Sequence, residues 1–115
     1  MIFVTGSAGF IGSNFVLEWL SQNEEPVISY DKLTYAGNIE NLDLCIRDPR
    51  HTFIKGDICE TDKLLQIFQD YEPFFVINFA AESHVDRSIN SPKIFFENNV
   101  IGTLSLFEAC RKYFQ

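Results

Sequence analysis

The segment Ile2-Phe3-Val4-Thr5-Gly6-Ser7-Ala8-Gly9-Phe10-Ile11-Gly12 constrains the fold more than any other part of the chain. The β-branched and aromatic residues from Ile2 to Thr5 predict a buried strand. The run stops at Gly6, and by Phe10 the apolar spacing is helical. A strand that breaks into glycines and restarts as a helix leaves backbone N–H groups free at the helix start. Those groups and the positive end of the helix dipole form an anion site. Gly6 permits the tight turn, Gly9 lets backbone approach a phosphate, and Gly12 lets helix pack on strand. The G-x-x-G-x-x-G spacing predicts a dinucleotide pyrophosphate as the anion.

A chain of 115 residues predicts one domain, and 46% hydrophobic residues with 12 Phe make it globular. The net charge of -7 and the lack of any Lys/Arg cluster longer than two argue against nucleic acid and against an anionic membrane. A pyrophosphate must then be held by backbone and dipole more than by cations. Cys45, Cys59 and Cys110 have no ligand spacing and are odd in number, which predicts reduced thiols, no metal and a cytosolic setting. Strand residues follow Met1 at once, with no basic and apolar leader. No apolar run approaches the ~20 residues of a membrane span. A cytoplasmic location is expected.

The first helix is predicted from about Phe10 to Ser21, with Ile11, Phe15, Trp19 and Leu20 on its apolar face. Val27 to Tyr30 is the next strand, and Asp31 ends it. Asp31 lies about 20 residues after Gly12, where a dinucleotide fold places an acid to accept from the adenosine ribose hydroxyls. A carboxylate repels a 2′-phosphate, so NAD is expected over NADP, although the neighbouring cation Lys32 would tolerate phosphate. A turn-forming Asp at a strand end is the plainer alternative.

Gly37 is expected at positive φ in a loop. Asn38 to Ile46 reads as a short helix capped by Asn38, with Ile39, Leu42, Cys45 and Ile46 inward. His51 to Lys55 is the third strand, and His51 is expected to be solvated. Gly56-Asp57-Ile58 follows at the tip that reaches adenine: Asp57 accepts from the exocyclic amine and Ile58 packs on the ring, or the three make an ordinary turn. Thr61 is expected to cap a helix from Asp62 to Asp70, with Leu64, Leu65, Ile67 and Phe68 inward.

Phe74 to Phe79 is the fourth strand, apolar on both faces like a central parallel strand. Small residues follow, Ala80 and Ala81, and then the polar loop Glu82-Ser83-His84-Val85-Asp86-Arg87-Ser88, which predicts contact with a polar ligand. Ser91-Pro92 starts a final helix to about Phe114, with Ile94, Phe95, Val100, Ile101, Leu104, Phe107 and Cys110 over much of its surface. Asn98 and Asn99 interrupt it, and Gly102 suggests close packing on the sheet. The alternation predicts an α/β fold: a parallel sheet of order 3-2-1-4 with helices on both faces.

The glycine motif, Tyr30-Asp31-Lys32-Leu33-Thr34-Tyr35-Ala36-Gly37-Asn38, Gly56-Asp57-Ile58, Ala80-Ala81-Glu82-Ser83-His84-Val85-Asp86-Arg87-Ser88 and Asn98-Asn99-Val100-Ile101-Gly102-Thr103 together resemble the extended short-chain dehydrogenase/reductases. Within them the likeness is to the amino-terminal part of the dTDP-glucose 4,6-dehydratases, and it covers the whole chain. The resemblance implies that Phe10 and Ile11 present backbone to the NAD pyrophosphate. It implies that Asp31 holds the ribose, with Lys32, Leu33, Thr34 and Gly37 around it, and that Asp57 and Ile58 meet adenine. Phe79, Ala80, Ala81, Ser83 and Asn98, with Asn99 near, would line the path to the nicotinamide. Ser83, Glu82 and His84 would reach dTDP-glucose. The implied reaction is redox-neutral: hydride leaves C4 of the glucose to NAD, water leaves across C5 and C6, and the hydride returns to C6.

Members of that family are far longer. Their Tyr-x-x-x-Lys pair, in which Lys lowers the Tyr pKa, is missing: Ile28, His51, Cys59, Ile89 and Glu108 stand four before the five lysines. The resemblance therefore implies that residues 1–115 are part of a truncated Rossmann domain, without the substrate domain and inactive alone. Another sugar-nucleotide epimerase or decarboxylase, or a non-catalytic nucleotide-binding module, are the alternatives. An apolar fourth strand without an outer neighbour predicts self-association, and in the resembled family the last helix contributes to a dimer.

Overall fold

A computed structural model describes residues 1–34, 37–80 and 92–115 of the chain. Four parallel strands, β1 (Ile2–Thr5), β2 (Val27–Asp31), β3 (His51–Lys55) and β4 (Phe75–Asn78), pair in the order β3-β2-β1-β4. The register runs Ile2 with Val27 and Phe75, and Val27 with His51. β1 and β2 are central, and every residue in them is buried. β1 is where the order reverses, because the first crossovers move outward to β3 and the last returns to β4 on the other side.

Alternate side chains of β1 feed two cores, as the period of a strand requires. Phe3 points to one side with Ile28, Tyr30, Leu64, Phe68 and Leu106, between the sheet and helices α2 (Thr61–Tyr71) and α4 (Gly102–Phe114). Ile2 and Val4 point to the other with Val16, Leu20, Val27 and Leu42, under helix α1 (Phe10–Gln22) and a 3-10 turn (Ile39–Leu42). Helices on both faces bury β1 and β2, and the polar residues these strands carry, Thr5, Ser29 and Asp31, are each hydrogen-bonded. The predicted fold class, strand order and strand positions agree with this.

Several local expectations do not hold. The final helix is not continuous: α3 (Pro92–Phe96) passes through a π-helical turn (Glu97–Ile101) before α4 starts. Two consecutive asparagines are poor helix formers, and the widened turn sits on them. The helix expected from Asn38 shrinks to one 3-10 turn, although Asn38 does cap it, its side chain accepting from Glu40 N–H. Thr61 is the first residue of α2 and not its cap; Glu60 precedes it without a side-chain cap bond, and Thr61 Oγ1 instead donates to the Ser105 carbonyl at 3.4 Å. Ile11 and Ile46 are exposed, as are Val100, Ile101, Leu104 and Phe107, while α4 buries Gly102, Leu106 and Ala109. His51 is buried, its Nε2 sharing a 2.7 Å hydrogen bond with Ser29 Oγ inside the sheet.

Candidate functional site

Gly6 follows β1 directly and adopts φ +65. A Cβ there would lie 2.5 Å from the Phe79 carbonyl carbon and the Ala80 nitrogen, so the turn and the β4 tip touch backbone to backbone. Gly12, one turn into α1, sits with its α-carbon against the Gly6 carbonyl, and any side chain would strike it. Gly9 is the N-cap of α1 and supplies no side-chain cap. The N–H groups of the first helical turn have no intrahelical acceptor. No acidic residue stands in that turn, and Phe10 is 80% and Ile11 67% exposed. The helix therefore offers uncapped donors at the switch point of the sheet.

The turn is pinned by β2 and the segment after it. Asp31 is 9% exposed, and its Oδ2 accepts from Ala8 N–H at 2.9 Å. Its Oδ1 accepts from Leu33 N–H at 2.7 Å. The Ala8 carbonyl accepts from Asn38 N–H at 3.0 Å and from Asn41 Nδ2 at 2.8 Å. Leu33 adopts φ +60, a conformation that non-glycine residues rarely hold without external restraint. A side chain at Gly37 would crowd Asp31 Oδ1 at 2.6 Å, so this loop closes directly over the acid. Gly37 itself is not at positive φ, contrary to expectation; among the described residues of this loop, Leu33 is the left-handed one. Gly37 N–H donates to the Thr34 carbonyl at 3.0 Å. Asn41 was not foreseen as part of the site, and its spacing three after Asn38 is the only trace in the sequence.

The tips of β2 and β3 are tied together. Gly56 N–H donates to the Asp31 carbonyl at 3.0 Å, and Tyr30 Oη donates to the Asp57 carbonyl at 3.0 Å. Lys32 Nζ lies 3.1 Å from Asp57 Oδ2, and Cys59 N–H donates to Asp57 Oδ1 at 2.9 Å. Partial burial raises the Asp57 carboxyl, but the Cys59 and Lys32 hydrogen bonds outweigh it and hold the group below the usual carboxylate range. Burial, aided by the nearby Glu60 and Asp57, pushes the Tyr30 phenol up, so it stays a neutral donor. The Ile58 side chain packs into the core with Phe3, Tyr30 and Leu64, so at this edge it offers backbone and not an open apolar face.

On the other side of β1, Thr5 Oγ1 hydrogen-bonds the Asn78 side-chain oxygen. Ala80 N–H lies 3.3 Å from Thr5 Oγ1 and 3.1 Å from Asn78 Oδ1. The Phe79 ring packs on Phe15 of α1, centroids 5.4 Å apart. The structure thus brings Gly6, Gly9, Phe10, Ile11, Gly12, Asp31, Phe79 and Ala80 together at the carboxyl ends of β1, β2 and β4. Lys32, Leu33, Thr34, Gly37 and Asp57 gather at the β2 and β3 tips. Asn98 lies in the π-helical turn. Ala81, Glu82, Ser83 and His84 lie outside the described residues.

A doubly wound parallel sheet with a glycine turn at its switch point and an acid on the adjacent strand tip defines a dinucleotide-binding domain of the Rossmann type. The chain belongs to the family described as GDP-mannose 4,6 dehydratase, whose sequence model matches residues 3–115. It is similar to the dTDP-glucose 4,6-dehydratase of Salmonella typhimurium, at 46% identity over 97% of this chain and 31% of that relative. Among solved structures, a double mutant of dTDP-glucose 4,6-dehydratase from Streptomyces venezuelae with NAD bound is 42% identical. It aligns with a TM-score of 0.92 over 98% of this chain and 36% of its own. A UDP-glucose 4-epimerase from Brucella ovis in complex with NAD is 34% identical, with a TM-score of 0.83 over 97% of this chain and 32% of its own. The chain spans about a third of the length of the curated relatives it matches. Among the described residues no helix is long and apolar enough to cross a membrane.

Proposed function

We propose that residues 1–115 are the amino-terminal part of the NAD-binding domain of a dTDP-glucose 4,6-dehydratase, with the substrate domain outside them. The observation that carries this reading is the pairing of uncapped α1 donors with a buried acid: Asp31 is bonded to Ala8 inside the same glycine turn. The fit to NAD rests on this chain's own atoms. The Gly6–Gly12 contact leaves no side chain between the turn and a ligand, and the buried Ser7 hydroxyl has no partner in the turn. When bound, NAD supplies reversible hydride acceptance.

In this reading Phe10 and Ile11 present N–H groups to the pyrophosphate, and Gly6, Gly9 and Gly12 let the backbone come close to it. Asp31 accepts from the ribose hydroxyls with the lone pairs that Ala8 and Leu33 leave unused. Lys32, Leu33, Thr34 and Gly37 enclose the ribose, and Asp57 with Ile58 backbone meets the adenine edge. Phe79, Ala80, Ala81, Ser83 and Asn98 line the path onward. Ser83, Glu82 and His84 face dTDP-glucose in the whole enzyme, which acts in the cytoplasm. The chain alone carries no Tyr-x-x-x-Lys and does not turn over substrate; dTDP-4-keto-6-deoxyglucose made by the purified chain would overturn that.

The test is calorimetry with NAD on the 115-residue chain and on Asp31→Ala, with circular dichroism to establish that both are folded. The variant should bind at least about tenfold more weakly, because a charged acceptor has been removed from two ribose donors. Equal affinities would take Asp31 out of the ribose role.

A further inference from the structure

Lys32 poses a problem for an NAD site. It follows the ribose acid immediately, and a cation in that neighbourhood is what accommodates the 2′-phosphate of NADP in dinucleotide domains. Lysine is well suited to this as a mobile point charge on a flexible stem. In this chain its ammonium is already engaged: Nζ lies 3.1 Å from Asp57 Oδ2 on the next strand tip. That partner is not loose. The other Asp57 oxygen accepts from Cys59 N–H at 2.9 Å, its carbonyl accepts from the buried Tyr30 hydroxyl at 3.0 Å, and its own N–H donates to Glu60 Oε1 at 3.1 Å. Gly56 N–H ties the same tip to the Asp31 carbonyl at 3.0 Å. The nearby cation Lys63 is also turned away, donating to the Lys55 carbonyl at 2.9 Å and lying over the Tyr30 ring.

The geometry points to Asp57 as a specificity-determining residue of this dinucleotide site: by holding Lys32 at the β3 tip, it withholds from a 2′-phosphate the cation that directly follows the ribose acid. This rests on the reading of the site as an NAD site. It adds to that reading a second carboxylate, which acts through Lys32 rather than on the ribose. Asp31 sets the preference by repulsion, and Asp57 keeps it from being undone.

The test uses the full 115-residue chain and two probes that share adenine and ribose, 5′-AMP and adenosine 2′,5′-bisphosphate, measured by calorimetry at one ionic strength. Because both probes carry adenine, any loss of an adenine contact cancels in their affinity ratio. Asp57→Asn should shift that ratio toward the bisphosphate by about five-fold, the size of an exposed ion pair. Asp57→Asn combined with Lys32→Met should lose the shift. Lys32→Met alone should leave the ratio within about two-fold of the parent, because the ammonium is already engaged. An unchanged ratio in Asp57→Asn, or a shift that survives Lys32→Met, overturns the proposal while AMP binding keeps the NAD reading standing. If the parent chain binds neither nucleotide, the NAD reading falls and this inference with it.

Discussion

Gly6 is the residue on which the site turns. Its φ of +65 is left-handed, and its neighbours Phe79 and Ala80 leave no space for a methyl group. Gly6→Ala should cost about 1–3 kcal/mol, read as a lower urea midpoint with unchanged m-value. His51 supplies a pH prediction. Burial, partly opposed by Asp48, pulls its pKa below the ordinary 6.5, so the folded state prefers the neutral ring. As pH falls through about 6.5 the unfolded chain takes up the proton first, and stability is lost down to the lowered folded value. The parent should therefore lose more stability between pH 7.5 and 5.5 than His51→Gln, which keeps a partner for Ser29; equal losses would show that the ring is not held neutral. At this scale the sequence revealed Asp31, because its spacing from Gly12 is set by the length of one helix and one turn. It did not reveal the burial of His51, because whether the first residue of a strand is covered depends on segments distant in the chain. It did not reveal Asn41 either, whose role is a contact with Ala8 across the fold.

Between β2 and β3, one hydrogen bond from Tyr30 to the Asp57 carbonyl spans two strand tips. Tyr30→Phe should cost about 1 kcal/mol and loosen the β3 tip, seen as faster amide exchange at Gly56 to Cys59. Helix α2 ends on Glu72 in the left-handed conformation at φ 53, its N–H donating to the Phe68 carbonyl at 2.8 Å. Glycine holds that geometry without a Cβ penalty, so Glu72→Gly should raise stability by up to about 1 kcal/mol in thermal melts. Strands were legible because β-branched and aromatic runs bounded by Gly, Pro and Asp announce them. The last helix was not: its apolar residues repeat densely enough to read as one element, and the pattern is blind to a local change from α to π winding at Asn98 and Asn99.

Over the whole molecule, the two cores are unequal in cover. The face between β4 and α4 forms an apolar groove of about 280 Å³ lined by Phe74, Phe75, Val76, Leu106, Phe107 and Phe114. Phe75 is 58% and Phe107 63% exposed. Among the described residues β4 is an edge strand, and an exposed apolar edge recruits further chain. The isolated chain should self-associate, with a weight-average mass by light scattering that rises with concentration and falls in Phe75→Lys. A clean monomer at high concentration would count against it. The topology was legible because alternating strands and helices with right-handed crossovers leave few arrangements, and the glycine turn fixes where the order reverses.

The central place of β1 has a kinetic side. Of the four strands it is the earliest in the chain, yet one of its two neighbours, β4, is made more than 70 residues later. The earliest of the four strands is thus the last to gain both neighbours, and until Phe75 to Asn78 arrive, one apolar edge of β1 waits unpaired. Pairings so distant in sequence slow folding, and any pause in synthesis before residue 78 prolongs that exposure.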